Sequence, residues 1–279
     1  MIKKGIDVSA HQGNINWAQA STQISAVIIR AGYGKNNIDQ KWVPNIEAAS
    51  AFGLDLGAYW FSYAYSVDMA YMEGKYAALA VQKKLGNRKI PIAYDLEYDS
   101  VSYAAKKGVT IDRTAATQYA IAFLKAVKEA GYRPMIYTNM DYIRRYFDLA
   151  AIQQAVPDTM LWLAAWRSSR PNDIYGDMAS VWQYTSDGSV AGITGRVDMD
   201  EIYDDLESSG PSADPEPVAP VQPRNAQMRV TASVLNIRKG PSADAEDLGD
   251  LPAGTILTVD QIQDGWAHFE GWCSAKYLK

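Results

Sequence analysis

The sequence contains very little cysteine and histidine, and both shortages narrow the chemistry that it can support. Cys273 is the single cysteine among 279 residues, so no disulfide can form within the chain. The two histidines, His11 and His268, are too few for a histidine-rich metal site. We therefore expect a protein that needs neither a metal nor another cofactor.

Excess positive charge and long apolar runs are also missing. The formal net charge is -5 at pH 7, which argues against a nucleic-acid partner held by a basic surface. No apolar run approaches the roughly 20 residues that span a bilayer, and the N-terminal stretch lacks the apolar core of roughly 7–15 residues that a secretory signal has. We expect a chain that is made in a cytoplasm, does not insert into membranes and reaches any target outside by another route.

Proline, by contrast, is concentrated in one place. Residues 208–225 hold five of the twelve prolines and no aromatic residue, a composition typical of a semi-extended linker. This linker separates a large N-terminal domain, residues 1–207, from a small C-terminal domain, residues 226–279. A long surface loop inside one domain is the alternative interpretation.

Strand-like and helix-like patterns alternate through the large domain. Helical periodicity covers residues 39–52, 68–85 and 111–130, and such alternation is typical of an α/β fold with a parallel sheet. Eight candidate strands favour a (β/α)8-type barrel, but the domain is shorter than the ~250 residues usual for that fold. Because the crossovers after the sixth and seventh strands are too short for full helices, we predict an irregular barrel with reduced helices in its second half. A doubly wound open sheet is the alternative. The strands are 5–9, 26–31, 56–64, 90–97, 133–139, 160–166, 180–186 and 196–202.

Two carboxylates mark the end of the fourth strand. Asp95 and Glu97 alternate with Tyr94 and Leu96, so both acidic side chains fall on one face, with Cα atoms about 6.5–7 Å apart. Like charges at that distance raise at least one pKa, and a carboxyl with a raised pKa can donate a proton near neutral pH. Glycoside hydrolysis is the reaction that needs such a pair most directly. An acidic strand end exposed to solvent is the alternative.

Other polar side chains recur on neighbouring strands. Catalytic groups of (β/α)8 barrels lie at the C-terminal ends of the strands. Asp7 and Arg30 lie near the ends of the first and second strands, and the eighth strand carries Asp198 and Asp200. Each of these alone could be a cap, an ion pair or a solvated group. Together they predict one polar site at this rim of the barrel.

Aromatic side chains accumulate at the same level of the predicted barrel. Flat rings with polar rims suit a sugar, whose faces are apolar and whose edges carry hydroxyl groups. Core packing is the simpler explanation of any single ring, but the whole set predicts a groove for a polysaccharide. The set comprises Tyr59, Trp60, Phe61, Tyr63, Tyr137, Trp162, Trp166, Trp182 and Tyr184.

Six segments of the large domain together resemble the glycoside hydrolase family 25 lysozymes. They are GIDVSAHQGNINW (5–17), VIIRAGYG (27–34), GAYWFSYA (57–64), DLE (95–97), VWQYTS (181–186) and VDMDEI (197–202). The resemblance implies an N-acetylmuramidase that cleaves the β-1,4 bond between N-acetylmuramic acid and N-acetylglucosamine in peptidoglycan. Such enzymes are common among bacteriophage endolysins, and a bacterial autolysin of the same activity is the alternative setting.

The resemblance also implies roles for individual residues. Glu97 would be the general acid, and its partner Asp95 would either attack the anomeric carbon or hold the acetamido group of the substrate that attacks instead. The family favours the second route, which is substrate-assisted and retaining. Asp7 and Asp198 would be the further carboxylates of the site, since Asp200 stands where many relatives carry Asn or another polar residue. Substrate-shaping roles fall to Arg30, Tyr63, Tyr137, Trp166 and Gln183.

Competing functions fit these residues less well. Chitinase-like barrels usually carry further aspartates before the DxE motif, and here residues 91–94 read PIAY. An amidase or endopeptidase would need a metal site or a Cys/His pair, and residues 1–207 contain no cysteine and only His11. The presence of all four carboxylates disfavours a wall-binding protein whose barrel has lost activity.

The small domain resembles a second family. VLNIRKGPS (234–242) and GWAHFEGWCSAKYL (265–278) are similar to bacterial SH3-like domains appended to cell-wall enzymes. The resemblance implies a small all-β barrel in which an aromatic groove with Trp266 or Trp272 binds the peptide or cross-bridge of peptidoglycan, while the glycan binds to the first domain. Core packing of both tryptophans is the alternative, and Cys273 is expected to be a small apolar strand residue. The predicted strands are 228–231, 235–238, 256–260, 266–270 and 272–274.

Overall fold

The structure, a computed structural model, describes most of the chain in two separate units. The described residues are 2–86, 88–206, 226–242, 245–259, 261–263, 266–269, 272–274 and 278. The units are Met1–Ser209 and Gly210–Lys279. The predicted linker, residues 208–225, lies outside the described residues. No helix among those described is long and apolar enough to cross a membrane.

The first unit is built on a closed barrel of eight strands. β1 (Lys3–Val8) pairs in parallel with β2 (Ala26–Tyr33) and antiparallel with the last strand, so the series of pairings returns to its start. The predicted barrel is therefore confirmed, and the open-sheet alternative is wrong. A short strand, β3 (Asn37–Ile38), adds to the end of β2. The remaining strands are β4 (Asp55–Phe61), β5 (Pro91–Asp95), β6 (Arg133–Asn139), β7 (Met160–Ala164), β8 (Ala179–Gly188) and β9 (Val197–Ile202).

The last barrel strand runs in the direction opposite to the one predicted. Only residues 189–196 connect β8 to β9, whereas a parallel crossover needs roughly a dozen or more residues. β9 is accordingly antiparallel to both β8 and β1. The expectation that the eighth strand presents its C-terminal end at the catalytic rim is therefore wrong. Its N-terminal end, with Asp198, lies there instead.

The three predicted helices are present with shifted ends. They are α2 (Trp42–Ala51), α3 (Val67–Leu85) and α5 (Arg113–Glu129). The hydroxyl of Ser66 caps α3 by accepting the N–H of Met69 at 3.2 Å. Short helices that were not predicted are α1 (Trp17–Ala20), α4 (Tyr98–Lys106), α6 (Met140–Arg145), α7 (Leu149–Ala155) and α8 (Ile174–Met178). The helices that follow β6 are all short, as expected for the second half of this barrel.

Strand alternation divides the apolar core into two layers. One layer fills the barrel interior, and the other lies between the outside of the barrel and the helices. Each large side chain buried in these layers contributes about 1.5–3 kcal/mol to the stability of the folded chain. The interior layer includes Ile28, Met135, Met160, Val181 and Ile202. The outer layer includes Val27, Ile29, Ile92, Tyr94 and Phe123.

The second unit is all β, as predicted. β10 (Ala226–Arg229) pairs with β13 (Ile256–Val259), and the other strands form a five-stranded sheet in the order β12, β11, β16, β15, β14. Cys273 is fully buried in its apolar cluster, whereas Trp266 is half-buried and lies outside that cluster. The side chain of Trp272 lies outside the described residues. The five-stranded sheet consists of β11 (Val234–Arg238), β12 (Asp247–Pro252), β14 (Gln261–Gln263), β15 (Trp266–His268) and β16 (Trp272–Ser274).

Candidate active site

A cavity of about 360 Å³ opens at the rim of the barrel where the parallel strands end. It gathers all four predicted carboxylates and four of the five predicted substrate-shaping side chains. Its walls are both polar and aromatic, which suits a carbohydrate better than an apolar ligand. The lining residues are Asp7, Ser9, His11, Gln12, Arg30, Tyr59, Phe61, Asp95, Glu97, Tyr137, Trp162, Trp166, Gln183, Ser186 and Asp198.

The antiparallel pairing of β1 with β9 sets the depth of the aspartates. Asp7 lies directly opposite Asp198, and Gly5 lies opposite Asp200. Because side chains two residues apart point to the same face, Asp200 lies one layer below Asp198, inside the barrel. It is 0% exposed, and its Oδ1 accepts the indole N–H of Trp162 at 2.8 Å. Of these two aspartates on β9, only Asp198 lines the cavity.

The end of β5 and the start of α4 place the other two carboxylates. Asp95 is the last residue of β5, and Glu97 is the N-cap residue of α4 with an extended backbone (φ -126°, ψ -176°). The strand alternation therefore continues for two residues beyond β5, and Leu96 is buried on the opposite face. The hydroxyl of Ser100 accepts the N–H of Glu97 at 3.1 Å, which fixes the backbone at this position.

Gln183 joins three walls of the cavity in one hydrogen-bond network. Its Nε2 donates to Oδ2 of Asp7 at 2.7 Å. Its Oε1 accepts the hydroxyl of Tyr137 at 3.0 Å and the indole N–H of Trp166 at 3.1 Å. Gln183 is buried, whereas Trp166 is 64% exposed and presents its ring at the cavity mouth. The amide therefore connects a carboxylate at the base of the site to an aromatic surface that a ligand can reach.

Arg30 brings positive charge to this acidic cavity. Its Nε donates to Oδ2 of the buried Asp39 at 2.7 Å, and Asp39 also accepts the N–H groups of Ala10 and Lys41. The guanidinium charge lowers the pKa of Asp95, although burial and the charge of Glu97 raise it more strongly. Asp39 had not been predicted, because its contact with Arg30 is made by the loop that follows β3 and leaves no local sequence signal.

Burial is the first cause of every pKa shift among the cavity carboxyls. It raises the pKa of Asp95 well above its usual range, with a further contribution from Glu97. It raises the pKa of Glu97, helped by the charges of Asp198 and Asp99. It also raises the pKa of Asp7, helped by Asp200 and Asp198 and opposed by the Gln183 hydrogen bond. The carboxyls of Asp95 and Glu97 lie two residues apart on the same face, so the protonation of each one affects the other.

Tyr63 lies outside the main cavity, in an adjoining one of about 240 Å³. The two cavities share His11, Arg30 and Phe61 in their walls. Rings of Phe61 and Tyr33 stand 5.2 Å and 6.5 Å from the Tyr63 ring. His11 had not been predicted to line the site, although it belongs to the same short motif as Asp7.

Several predicted groove aromatics lie on the other side of the sheet. Trp60 and Trp182 are buried in the outer core layer, where their indole N–H groups donate to the backbone carbonyls of Gly34 and Ala165. Tyr184 packs against the same layer. The prediction that these three rings line the groove is wrong because alternate residues of a strand face opposite sides. Tyr59, Phe61, Tyr137, Trp162 and Trp166 do line the cavity.

No group of three or more Cys, His, Asp or Glu side chains within the described part of the chain is arranged to hold a metal ion. Among the cavity carboxyls, Asp7 instead accepts an amide N–H of Gln183. The site can therefore do two things with its own side chains. It can hold and release a proton at a carboxyl pair, and it can surround a ligand with negative charge and aromatic surface.

Comparisons with known proteins relate both units to families. Residues 6–193 match Glycosyl hydrolases family 25, and residues 233–279 match the Bacterial SH3 domain. Over 202 residues the chain is 27% identical to lysozyme M1 of Streptomyces globisporus. This match covers 71% of this chain and 67% of the lysozyme.

Solved structures show the same similarity. The modular autolysin LytC of Streptococcus pneumoniae, in complex with a synthetic peptidoglycan ligand, is 27% identical with a TM-score of 0.59. The match covers 72% of this chain and 47% of that one, so this chain spans about half the length of the autolysin. A bacterial lysozyme from Streptomyces coelicolor shares the fold, with 24% identity and a TM-score of 0.57. This match covers 72% of this chain and 92% of the lysozyme.

Proposed function

The chain belongs to the glycosyl hydrolases of family 25, and on that premise we propose that its first unit cleaves the β-1,4 bond between N-acetylmuramic acid and N-acetylglucosamine in peptidoglycan. One observation carries this proposal: the neighbouring carboxyls of Asp95 and Glu97 line one cavity together with aromatic rings and further polar side chains. Paired carboxyls and a sugar-binding surface are the two requirements of glycoside hydrolysis.

Glu97 is the proposed general acid. Its carboxyl is only partly buried, whereas that of Asp95 is 3% exposed, so Glu97 is the more accessible of the two to a ligand. Burial raises the pKa of Glu97, and the charges of Asp198 and Asp99 add to the effect, so the acid form persists toward neutral pH. The proton passes from Glu97 to the oxygen between the two sugars as the bond to the anomeric carbon breaks.

Asp95 is proposed to orient the acetamido group of the substrate in a retaining, substrate-assisted reaction. Oδ1 of Asp95 is buried and has no hydrogen-bond partner among the described residues, so it is available to accept the acetamide N–H. The acetamide oxygen then forms the new bond to the anomeric carbon, and water later releases the product. Burial raises the pKa of Asp95, which disfavours the free carboxylate that a direct attack would need.

The glycan is proposed to run across both cavities. His11, Arg30 and Phe61 belong to both walls, so a chain of sugars can pass from the Asp95–Glu97 pair to Tyr63 without leaving the surface. Trp166 offers an exposed ring for the apolar face of a sugar. Asp7, Asp198 and Gln183 are proposed to bind the reacting sugar from the opposite strands.

The second unit is proposed to hold the enzyme on the cell wall. Its match to the Bacterial SH3 domain supports this role, and the half-buried Trp266 offers an aromatic surface outside the apolar cluster of that unit. The peptide or cross-bridge of peptidoglycan is the proposed ligand. Wall binding by the isolated first unit that equals that of the full chain would contradict this assignment.

A product assay on purified cell walls tests the proposed reaction. We expect the full chain to release new reducing ends in step with the loss of turbidity, without new free amino groups. Reduction of the products with borohydride should convert muramic acid, and not glucosamine, to its alcohol. Glucosamine at the new ends would overturn the assignment of the bond. New amino groups without reducing ends would show that the protein is an amidase or endopeptidase and not a glycosidase.

The proposed biological role is that of a phage or prophage endolysin. Related structures include both an autolysin and endolysins, so the family serves both settings. We expect deletion of the gene to delay lysis of the host after phage induction. Normal lysis combined with defective separation of daughter cells would identify an autolysin instead.

A further inference from the structure

We infer that Glu73, a buried side chain of α3, is a positioning residue that holds the segment of residues 62–64 in place. Through that segment it positions both the ring of Tyr63 in the second cavity and Asp95. Glu73 lies outside both cavities, so it cannot touch a ligand there. The inference rests on the proposed function, in which Tyr63 contacts the glycan and Asp95 orients the reacting sugar.

The hydrogen bond of Glu73 leads to this segment. The side chain is 2% exposed, and its Oε1 accepts the backbone N–H of Tyr63 at 3.1 Å. Ser62 also lowers the pKa of the Glu73 carboxyl, although burial raises it more strongly. The hydroxyl of Ser62, itself fully buried, accepts the N–H of Ala64 at 3.2 Å. Glu73 therefore holds the backbone of Tyr63, the middle one of three consecutive residues directly after β4, and Ser62 holds that of Ala64.

These contacts replace the backbone pairing that ends with β4 at Phe61. The N–H groups of Tyr63 and Ala64 lie beyond the pairing of β4 with β5, and buried N–H groups that lack an acceptor are costly. The N–H of Ser62 is bonded to the carbonyl of Asp95 at 2.7 Å, that of Tyr63 to Glu73, and that of Ala64 to the Ser62 hydroxyl. Glu73 thus supplies the acceptor that keeps the segment from moving away from Asp95.

The segment also fixes the ring of Tyr63 in the second cavity. This ring contacts Tyr33 on one side and Tyr103 on the other, with centroid distances of 6.5 Å and 5.0 Å. A shift of the Tyr63 backbone would move the ring across the groove. Misplacement by about 1 Å can cost about 100-fold in rate, even when its cause lies far from the reacting atoms.

A carboxyl at this position is an unfavourable choice for packing alone. Burial raises the pKa of Glu73 to about 7, and its Oε2 has no hydrogen-bond partner among the described residues. The neighbouring Gly74 lets α3 approach α5 closely, since a Cβ there would lie 2.6 Å from the carbonyl oxygen of Phe123. An apolar side chain would satisfy such a helix contact at lower cost, so the carboxyl is explained by the segment that it holds.

Kinetic constants on soluble glycan strands of alternating N-acetylmuramic acid and N-acetylglucosamine separate positioning from mere stability. Loss of folded molecules lowers the apparent kcat and leaves KM unchanged, whereas a displaced Tyr63 raises KM. We expect Glu73→Ala to raise KM by about tenfold or more, and Glu73→Gln, which keeps an acceptor oxygen, to restore KM to within about threefold of the wild-type value. Ser62→Ala removes one hydroxyl from the same network and should raise KM in the same direction.

Thr117→Val is the matched control. Thr117 is a buried side chain of α5 whose hydroxyl accepts the N–H of Asp148, outside both cavities. Its loss should lower the melting temperature without changing KM. If Glu73→Ala does not fold, Ser62→Ala carries the test. If the folded variant, which is Glu73→Ala or otherwise Ser62→Ala, has the wild-type KM, Glu73 is not a positioning residue. An inactive wild-type protein on these strands would instead refute the proposed function.

Discussion

Asp7 and Asp198 lie directly opposite each other on the antiparallel strands β1 and β9. Side chains in such a pair have Cβ atoms about 4.5–5.5 Å apart. Burial raises the pKa of Asp7, and the charges of Asp200 and Asp198 add to this effect. Gln183 opposes that effect by donating to Asp7. The hydrogen bond from Gln183 therefore favours the ionised form of Asp7. A carboxylate at the barrel rim stabilises the positive charge that develops on a sugar as its glycosidic bond breaks.

Replacement of the proposed acid tests the centre of the mechanism. Glu97→Gln removes the transferable proton but keeps the shape of the side chain, so we expect kcat on cell walls to fall by about 100-fold or more, with an unchanged melting temperature. Glu47→Gln, at a surface residue paired with Lys84, should retain wild-type activity. A Glu97→Gln variant that keeps more than about a tenth of the wild-type rate would remove Glu97 from the acid role.

The Gln183 network gives a second prediction. Gln183→Met keeps the approximate volume but removes the donor to Asp7 and the acceptor for Tyr137 and Trp166. Hydrogen bonds to charged groups contribute about 1.5–3 kcal/mol, so we expect kcat/KM to fall by about tenfold or more. Gln153→Met, which removes a hydrogen bond to the carbonyl of Thr159 outside the cavity, should leave kcat/KM unchanged. Equal kinetic effects of the two substitutions would contradict the proposed role of Gln183.

Trp166 allows binding to be tested with little effect on folding. Because its side chain is 64% exposed, Trp166→Ala should change the melting temperature very little. Loss of an aromatic surface for a sugar costs on the order of 1 kcal/mol, which corresponds to a rise in KM of about fivefold. Ile174→Ala, at an equally exposed residue that does not line the cavity, is the control. An unchanged KM in Trp166→Ala would exclude this ring from the glycan surface.

The buried Asp200 predicts how stability depends on pH. Burial, reinforced by the charge of Asp198, raises its pKa to about 8 in the folded chain, against about 3.9 in an unfolded chain. Between these values the folded state holds a proton that the unfolded state has released. The contribution of Asp200 to the free energy of unfolding therefore falls as the pH rises toward 8.

Asp200→Asn should remove that dependence, because an amide does not ionise and still accepts the Trp162 N–H. We expect the variant and the wild type to unfold at similar urea concentrations near pH 4, and the variant to be more stable by on the order of 3 kcal/mol at pH 8. Asp177→Asn, at an exposed residue, should show no such divergence. A stability difference that stays constant from pH 4 to pH 8 would show that folding does not raise the pKa of Asp200.

Local sequence patterns predicted much of the barrel and its rim. The alternation around Tyr94, Asp95 and Leu96 is a property of the strand itself, so the interior position of Asp95 was predictable from the sequence. The same rule, applied to Trp60 and Trp182, would have placed those rings in the outer layer, where the structure has them. Grouping residues by their height along the barrel, without regard to their face, caused the wrong prediction.

Interactions between distant segments were beyond local patterns. The pairing of Arg30 with Asp39 depends on the path of a loop, and the contact of Glu73 with Tyr63 depends on how α3 packs against the end of β4. The antiparallel direction of β9 could have been predicted from the sequence, although strand periodicity does not reveal it. The short connection of residues 189–196 excludes a parallel crossover, and loop length alone would have predicted the reversal.

The reversal of β9 also decides where the polypeptide enters and leaves the barrel. Lys3 at the start of β1 is paired with Ile202 at the end of β9, so both termini of the barrel lie together at the end away from the cavity. A parallel eighth strand would have delivered the chain to the rim, beside the substrate. With both ends of the barrel sheet on the far side, the polypeptide enters and leaves the barrel without crossing the rim that carries the cavity.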